Sequence, residues 1–180
     1  INNGGTGFVP APEFGVDGPF GSRCAVTTDF DNDGDDDLVV CGDDRVHMYA
    51  NQGGAGFVDV AIANGFPHRF MGVAFADIDD DGDVDVAFSR PTEFAIYRMQ
   101  NGVNAGQVFS HPATLGHNVA FGEINGDGIP DAYFVQHGCR TESEGNLPDF
   151  VAVSQGASWV VNHPPDLDRG CGDGVVAFDH

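Results

Sequence analysis

The stretch DFDNDGDDDLVV, residues 29–40, places six aspartates in nine residues and then turns abruptly apolar. Two carboxylates about 5 Å apart repel by roughly 3 kcal/mol at an effective dielectric of 20. A chain that gathers several of them must hold a cation or keep them apart in solvent. The stretch is also repeated. AVTTDFDNDGDDDLVV (25–40) recurs as VAFADIDDDGDVDVAF (73–88) and as VAFGEINGDGIPDAYF (119–134), and a fourth copy opens at VVAFDH (175–180). The first acids are Asp29, Asp77, Glu123 and Asp179, spaced 48, 46 and 56 residues apart.

A second signature keeps the same period. NNGGTGF (2–8) matches NQGGAGF (51–57), with degenerate copies at QNGVNAGQVF (100–109) and SQGASWV (154–160). Each repeat reads as short segments rich in Val, Phe and Ala, punctuated by Gly, Asn and Asp. CAVTT, GVAFA or NVAFG precedes the acidic loop; LVVC, VAFS or AYFV follows it. A third segment is RVHMYA (45–50), FAIYRM (94–99) or FVAVS (150–154), and a fourth lies near GFVDV (56–60). That is strand-and-turn composition without helical periodicity. Four strands per ~45–50 residues is the size of a propeller blade. The expected fold is all-β: β-propeller blades of four-stranded antiparallel sheets, with three full repeats and partial blades at both ends. The boundaries fall at 1–21 (end of a preceding blade), 22–68, 69–115, 116–173 with an insertion, and 174–180. This framing implies a longer protein, or blades completed by neighbouring chains.

The loop pattern D-x-D-x-D-G-x-x-D suits calcium, which takes six to eight oxygen ligands. Glycine at the sixth position, here Gly34, Gly82 and Gly128, permits the sharp turn. Loop 1 offers the side chains of Asp29, Asp31, Asp33 and Asp37, with the Asp35 carbonyl. Loop 2 offers Asp77, Asp79, Asp81 and Asp85, with the Asp83 carbonyl. Loop 3 offers Glu123, Asn125, Asp127 and Asp131, with the Ile129 carbonyl. Asn125 is neutral, so loop 3 carries one charge fewer. Asp36 and Asp80 fall between ligand positions and are expected in solvent. The count is about three calcium ions, one per complete loop. An EF-hand would need glutamate at loop position twelve, where Val40, Phe88 and Phe134 stand instead.

Bulk composition narrows the function. A formal net charge of −21, with seven arginines and no lysine, opposes nucleic-acid binding, which requires phosphate neutralisation. No apolar run reaches the ~20 residues needed to span a bilayer, so no membrane insertion is expected. The four cysteines, Cys24, Cys41, Cys139 and Cys171, form no C-x-x-C pair. Their even number points to an oxidising compartment, against the alternative of four buried free thiols.

The loops together with the glycine-rich turn resemble the FG-GAP/VCBS family, the integrin-α-like calcium-binding β-propeller repeats. EINGDGIPD (123–131) is similar to the integrin form; DFDNDGDDDLVV with NQGGAGF is similar to the bacterial form. No GAP tripeptide follows the loops, where VCGDD, FSRPT and VQHGC stand. The resemblance implies structural calcium in a loop between strands one and two, and an extracellular setting, secreted or on the cell surface. Within the repeat, Cys24 and Cys41 nearly face each other across a hairpin, and Cys139 and Cys171 bracket the third repeat's extra length. Of three connectivities, 24–41 with 139–171 is the preferred one.

No catalytic motif stands out, and the chain is not expected to be an enzyme. His68 and His117 precede first strands; Asp166 and Asp168 are read as a solvated turn. The expected function is binding, adhesion or extracellular assembly, with a protein or glycan ligand or copies of itself as partner. Two alternatives remain: a non-catalytic module of a secreted polysaccharide-acting enzyme, and a structural subunit of an extracellular filament. The inter-blade connections near 61–71 and 110–117, and the insertion at 138–149 and 162–173, are the expected binding loops. NGFPHRFMG (64–72) is the leading patch.

Overall fold

The computed structural model describes residues 12–16, 21–66, 68–113, 115–136 and 149–163. Twelve strands form three four-stranded antiparallel sheets, each in sequential order. Sheet one holds β1 (Cys24–Thr28), β2 (Asp37–Cys41), β3 (Val46–Asn51) and β4 (Phe57–Asp59). Sheet two holds β5 (Gly72–Ala76), β6 (Asp85–Arg90), β7 (Glu93–Gln100) and β8 (Val103–Pro112). Sheet three holds β9 (Gly116–Gly122), β10 (Asp131–Gln136), β11 (Phe150–Ser154) and β12 (Trp159–Asn162). The first strands β1, β5 and β9 pack side by side, so the sheets stack as propeller-like blades, without closing a ring among the described residues.

Alternation explains how one blade packs against two neighbours. Successive strand residues point to opposite faces. In β6, Val86 and Phe88 face blade 1, in a cluster with Phe30, Met48, Phe66 and Phe70. Ala87 faces blade 3 with Phe94, Ile96, Phe134 and Phe150. Blade 2 is therefore apolar on both faces, which a sheet with one solvated face would not be. The second residue of loops 1 and 2 plugs the seam to the next blade: Phe30 is 2% and Ile78 4% exposed, whereas Ile124 in loop 3 is 54% exposed.

Two expectations change. The aromatic residues of the 64–72 patch belong to the core: Phe66 and Phe70 are buried, and Phe70 stacks on Phe88 with ring centroids 3.9 Å apart. The seam between blades needs apolar filling, and the connection that crosses it supplies that filling. QNGVNAGQVF, read as a glycine-rich turn, contains only the two-residue turn Asn101–Gly102, both at positive φ, as a tight hairpin demands. From Val103 the chain runs as a ten-residue strand. Pairing with the long β7 carries it through, with register shifts at Ile96/Tyr97 and Arg98/Met99.

Cys24 and Cys41 are directly paired across β1 and β2 and form a disulfide with Cα atoms 5.1 Å apart. This bond closes the end of the hairpin opposite the acidic loop. The expected Cys139–Cys171 bridge, residues Asp166 and Asp168, most of segment 1–21, and 174–180 lie outside the described residues. Among the described residues no helix is long and apolar enough to cross a membrane.

Candidate metal centre

The ninth residue of each loop is its anchor. Asp37, Asp85 and Asp131 open β2, β6 and β10 and are 0, 1 and 0% exposed. One carboxylate oxygen accepts the N–H of the loop's second residue: Phe30 at 2.9 Å, Ile78 at 3.1 Å and Ile124 at 3.1 Å. The other accepts an N–H from the blade's third-strand region: Asn51 at 2.7 Å, Met99 at 2.8 Å and Ser154 at 2.7 Å. Each aspartate thus ties loop entry to the third strand. Sequence reasoning assigned these residues to a metal shell alone. The available signal was an acid opening an otherwise apolar strand three times, since a buried carboxylate must find donors.

Loops 1 and 2 share one internal geometry. Asp29 accepts the N–H groups of Asp33 at 3.2 Å and Gly34 at 2.9 Å; Asp77 accepts those of Asp81 at 3.2 Å and Gly82 at 2.9 Å. Asp33 and Asp81 turn one oxygen back onto the N–H groups of Asp35 and Asp83, both at 2.9 Å. The fourth residues, Asn32 and Asp80, both sit at φ 59°, and Gly34 and Gly82 at 94° and 90°. These left-handed conformations let a nine-residue loop turn its odd-numbered side chains inward.

The result is two carboxylate triads. One oxygen each of Asp29, Asp31 and Asp37 lie within 4.8 Å of one another, as do those of Asp77, Asp79 and Asp85. Asp33 and Asp81 stand outside these triads, with one oxygen of each used in capping. Asp35 and Asp83 hold the seventh position, where the carbonyl was expected to serve. Loop 3 is built differently. Glu123, one methylene longer, folds onto the N–H groups of Asn125 at 2.9 Å and Gly126 at 2.6 Å, and does not take the N–H groups of the fifth and sixth loop residues that Asp29 and Asp77 accept. Asn125 donates to Asp127 at 3.0 Å, and Asp127 caps Ile129 at 2.9 Å. Glu123, Asp127 and Asp131 form no comparable triad among the described residues.

The triads carry unfavourable charge. Burial, opposed by the N–H groups of Met99 and Ile78 and reinforced by Asp79 and Asp81, pushes the Asp85 carboxyl up to about 6. Asp37 is raised first by burial, with Asp31 and Asp33 adding to it. Asp31 is raised by burial and by Asp33. The donors are all hard carboxylate oxygens, the chemistry of calcium and magnesium rather than zinc or copper. Arg98 pairs with one oxygen of Asp79 at 3.0 Å. The other, Oδ1, is buried with no hydrogen-bond partner among the described residues. Three converging carboxylates in each of loops 1 and 2 fit a hard divalent cation such as calcium, and loop 2 adds a buried carboxylate oxygen without a partner.

Of the histidines singled out, His68 is exposed. His117 lines a cavity of about 260 Å³ with Arg23, Met71, Pro91, Leu115 and Gly116. Arg23, Met71 and His117 each stand six residues before their loop's first acid. They therefore meet at the end of the blades opposite the acidic loops. The connections near 61–71 and 110–117 do come together there, through Met71 and through Leu115 to His117, although the aromatic patch is buried.

No curated protein matches the chain in comparison. The sequence profile of the FG-GAP-like repeat matches twice, over residues 29–88 and 77–134, each match running from one acidic loop into the following repeat. With those matches covering 29–134 and three four-stranded blades built around the same loops, the chain belongs to the FG-GAP-like repeat family.

Proposed function

We propose that this chain is a calcium-stabilised, propeller-like module that serves binding or assembly outside the cytosol. The single observation carrying the calcium part is the pair of carboxylate triads, with the buried Asp79 Oδ1 left without a partner. A divalent cation bound there reverses the sign of the carboxylate repulsion and clasps strands one and two of a blade. The chain's own residues prepare that clasp: Asp37 and Asp85 fix the loop ends, while Asp29 and Asp77 fix the turn. The Cys24–Cys41 bond supports an oxidising compartment. The cavity at Arg23, Met71 and His117 supports ligand binding, by a protein or glycan, at the blade ends away from the loops.

The test is calcium removal. Thermal melting in EGTA against calcium, with elemental analysis of the protein as purified, should show bound calcium and a melting temperature that falls on chelation. No bound calcium together with an unmoved melting temperature would remove the reading.

A further inference from the structure

Loops 1 and 2 touch each other across the seam between blades 1 and 2. Asn32 stands between Asp31 and Asp33, and its side-chain amide donates to the Gly82 carbonyl at 3.2 Å and to the Asp83 carboxylate. Gly82 and Asp83 are the sixth and seventh residues of loop 2. The other Asp83 oxygen accepts the Asn101 N–H at 3.2 Å. Gly102, the next residue, lies so close to loop 1 that a Cβ there would come within 2.5 Å of Asp31 Cβ. The tight turn Asn101–Gly102 is therefore held from both sides, by Asp83 of loop 2 and by Asp31 of loop 1.

The seam between loops 2 and 3 has no such link. Asp80, the counterpart of Asn32, has a carboxylate and cannot donate to the Gly128 carbonyl. The counterpart of Asp83 is Ile129, which offers no acceptor side chain. Among the described residues Asp80 makes no hydrogen bond across this seam. A cleft of about 450 Å³ lies there instead, lined by Asp79, Asp80, Arg98, Asp127 and Ile129 among others.

We propose that loops 1 and 2 take up their cations as a coupled pair, with Asn32 as the coupling residue, while loop 3 stands apart; this rests on the calcium reading above. A cation in loop 1 fixes Asp31, which adjoins Asn32 and packs on Gly102. Fixing that backbone aims the Asn32 amide at Gly82 and Asp83, the turn that loop 2 must hold to close on its own cation. Linkage makes the effect reciprocal. Charge alone would couple the loops in the opposite sense, because neutralising one loop weakens its neighbour's attraction for a second cation. The sign of the coupling therefore identifies its carrier.

The experiment is calorimetric titration with calcium alone. The full chain carries Glu123→Gln and Asp127→Asn to silence loop 3. Loop 1 affinity is compared with loop 2 intact and with loop 2 disabled by Asp77→Asn, in the presence of Asn32 and of Asn32→Gly. Glycine preserves the left-handed backbone without the amide, as Gly126 does at φ 83° in loop 3. With Asn32, disabling loop 2 should weaken loop 1 about five- to tenfold; with Asn32→Gly it should not. Asn32→Asp, of the same shape but unable to donate, should also lose the positive coupling. If disabling loop 2 leaves loop 1 unchanged or tightens it, the coupling is wrong while the calcium reading stands. If the chain with all loops intact binds no calcium, both fall together.

Discussion

The two seams of this molecule are built from the same repeat and end in different states. Between blades 1 and 2, Phe30 plugs the core and Asn32 ties loop to loop. Between blades 2 and 3, Ile78 plugs the core in the same way, but an aspartate and an isoleucine replace the donor and acceptor, and a cleft remains. The apolar part of a seam tolerates a change from Phe to Ile because burial is non-directional. The polar part does not tolerate the change from amide to carboxylate, because a hydrogen bond needs a donor. One repeat can thus keep its packing while losing its loop-to-loop link.

The largest expected effects test the packing the seams share. Phe88→Ala in the first seam and Phe134→Ala in the second should each cost about 3–5 kcal/mol in urea unfolding, because both rings are fully buried among other aromatics. A much smaller loss at Phe134 would show that the second seam is loose in its core as well as at its loops.

Next come the anchors. Asp131→Ala leaves the part-buried N–H of Ile124 and the buried N–H of Ser154 without their acceptor, at about 1–3 kcal/mol for the buried Ser154 group and less for Ile124, which solvent reaches. Its melting temperature should fall in EGTA as well as in calcium. Asp85→Ala should lower stability and also remove one bound calcium. If Asp131→Ala destabilises only in calcium, the ninth acid is a ligand and not an anchor.

A smaller effect follows from pH. The Asp85 carboxyl, raised to about 6 in the fold, binds a proton more readily than in the unfolded chain. Metal-free protein should therefore lose stability as pH rises from about 4 through about 6. In EGTA the melting temperature should be higher near pH 5 than near pH 7, and the calcium-induced gain should be largest near pH 7. Asp59 works in the other sense and lower down. Burial raises its carboxyl, but Arg45, the Ala61 amide and His47 together outweigh burial and lower it. Its contribution is lost only as pH falls below the ordinary carboxylate range. A melting temperature in EGTA that rises from pH 5 to 7 would contradict the buried charge at Asp85.

The smallest effect would convert one seam toward the other. Asp80→Asn installs a donor opposite Gly128, in a left-handed position that asparagine accepts. It should stabilise the chain by about 0.5–1 kcal/mol, read by chemical denaturation in EGTA. A loss of stability would mean that the cleft between loops 2 and 3 is too wide for one amide to bridge.

The strands were legible where residue type and period agreed. GVAFA and FVAVS coincide with β5 and β11, because short Val-, Ala- and Phe-rich segments between turns have few other ways to pair. The loops were legible too, since glycine at position six and acids at odd positions have a geometric meaning. The 64–72 stretch was not. Its phenylalanines lie in a connection, and a connection's burial depends on which sheet it crosses. The length of β8 was equally hidden, because Gly106 reads as a turn until a long partner strand is present.

The sequence by itself determined the repeat, the four-stranded unit and the acidic loop, since each is written locally in spacing and residue type. The tertiary structure alone decided which carboxylates converge, that Asp37, Asp85 and Asp131 are anchors, and that Asn32 reaches loop 2. Those facts depend on contacts between residues up to 51 positions apart, where an N–H, carbonyl or side chain of one strand or blade meets a side chain of another, and local pattern carries no record of such meetings.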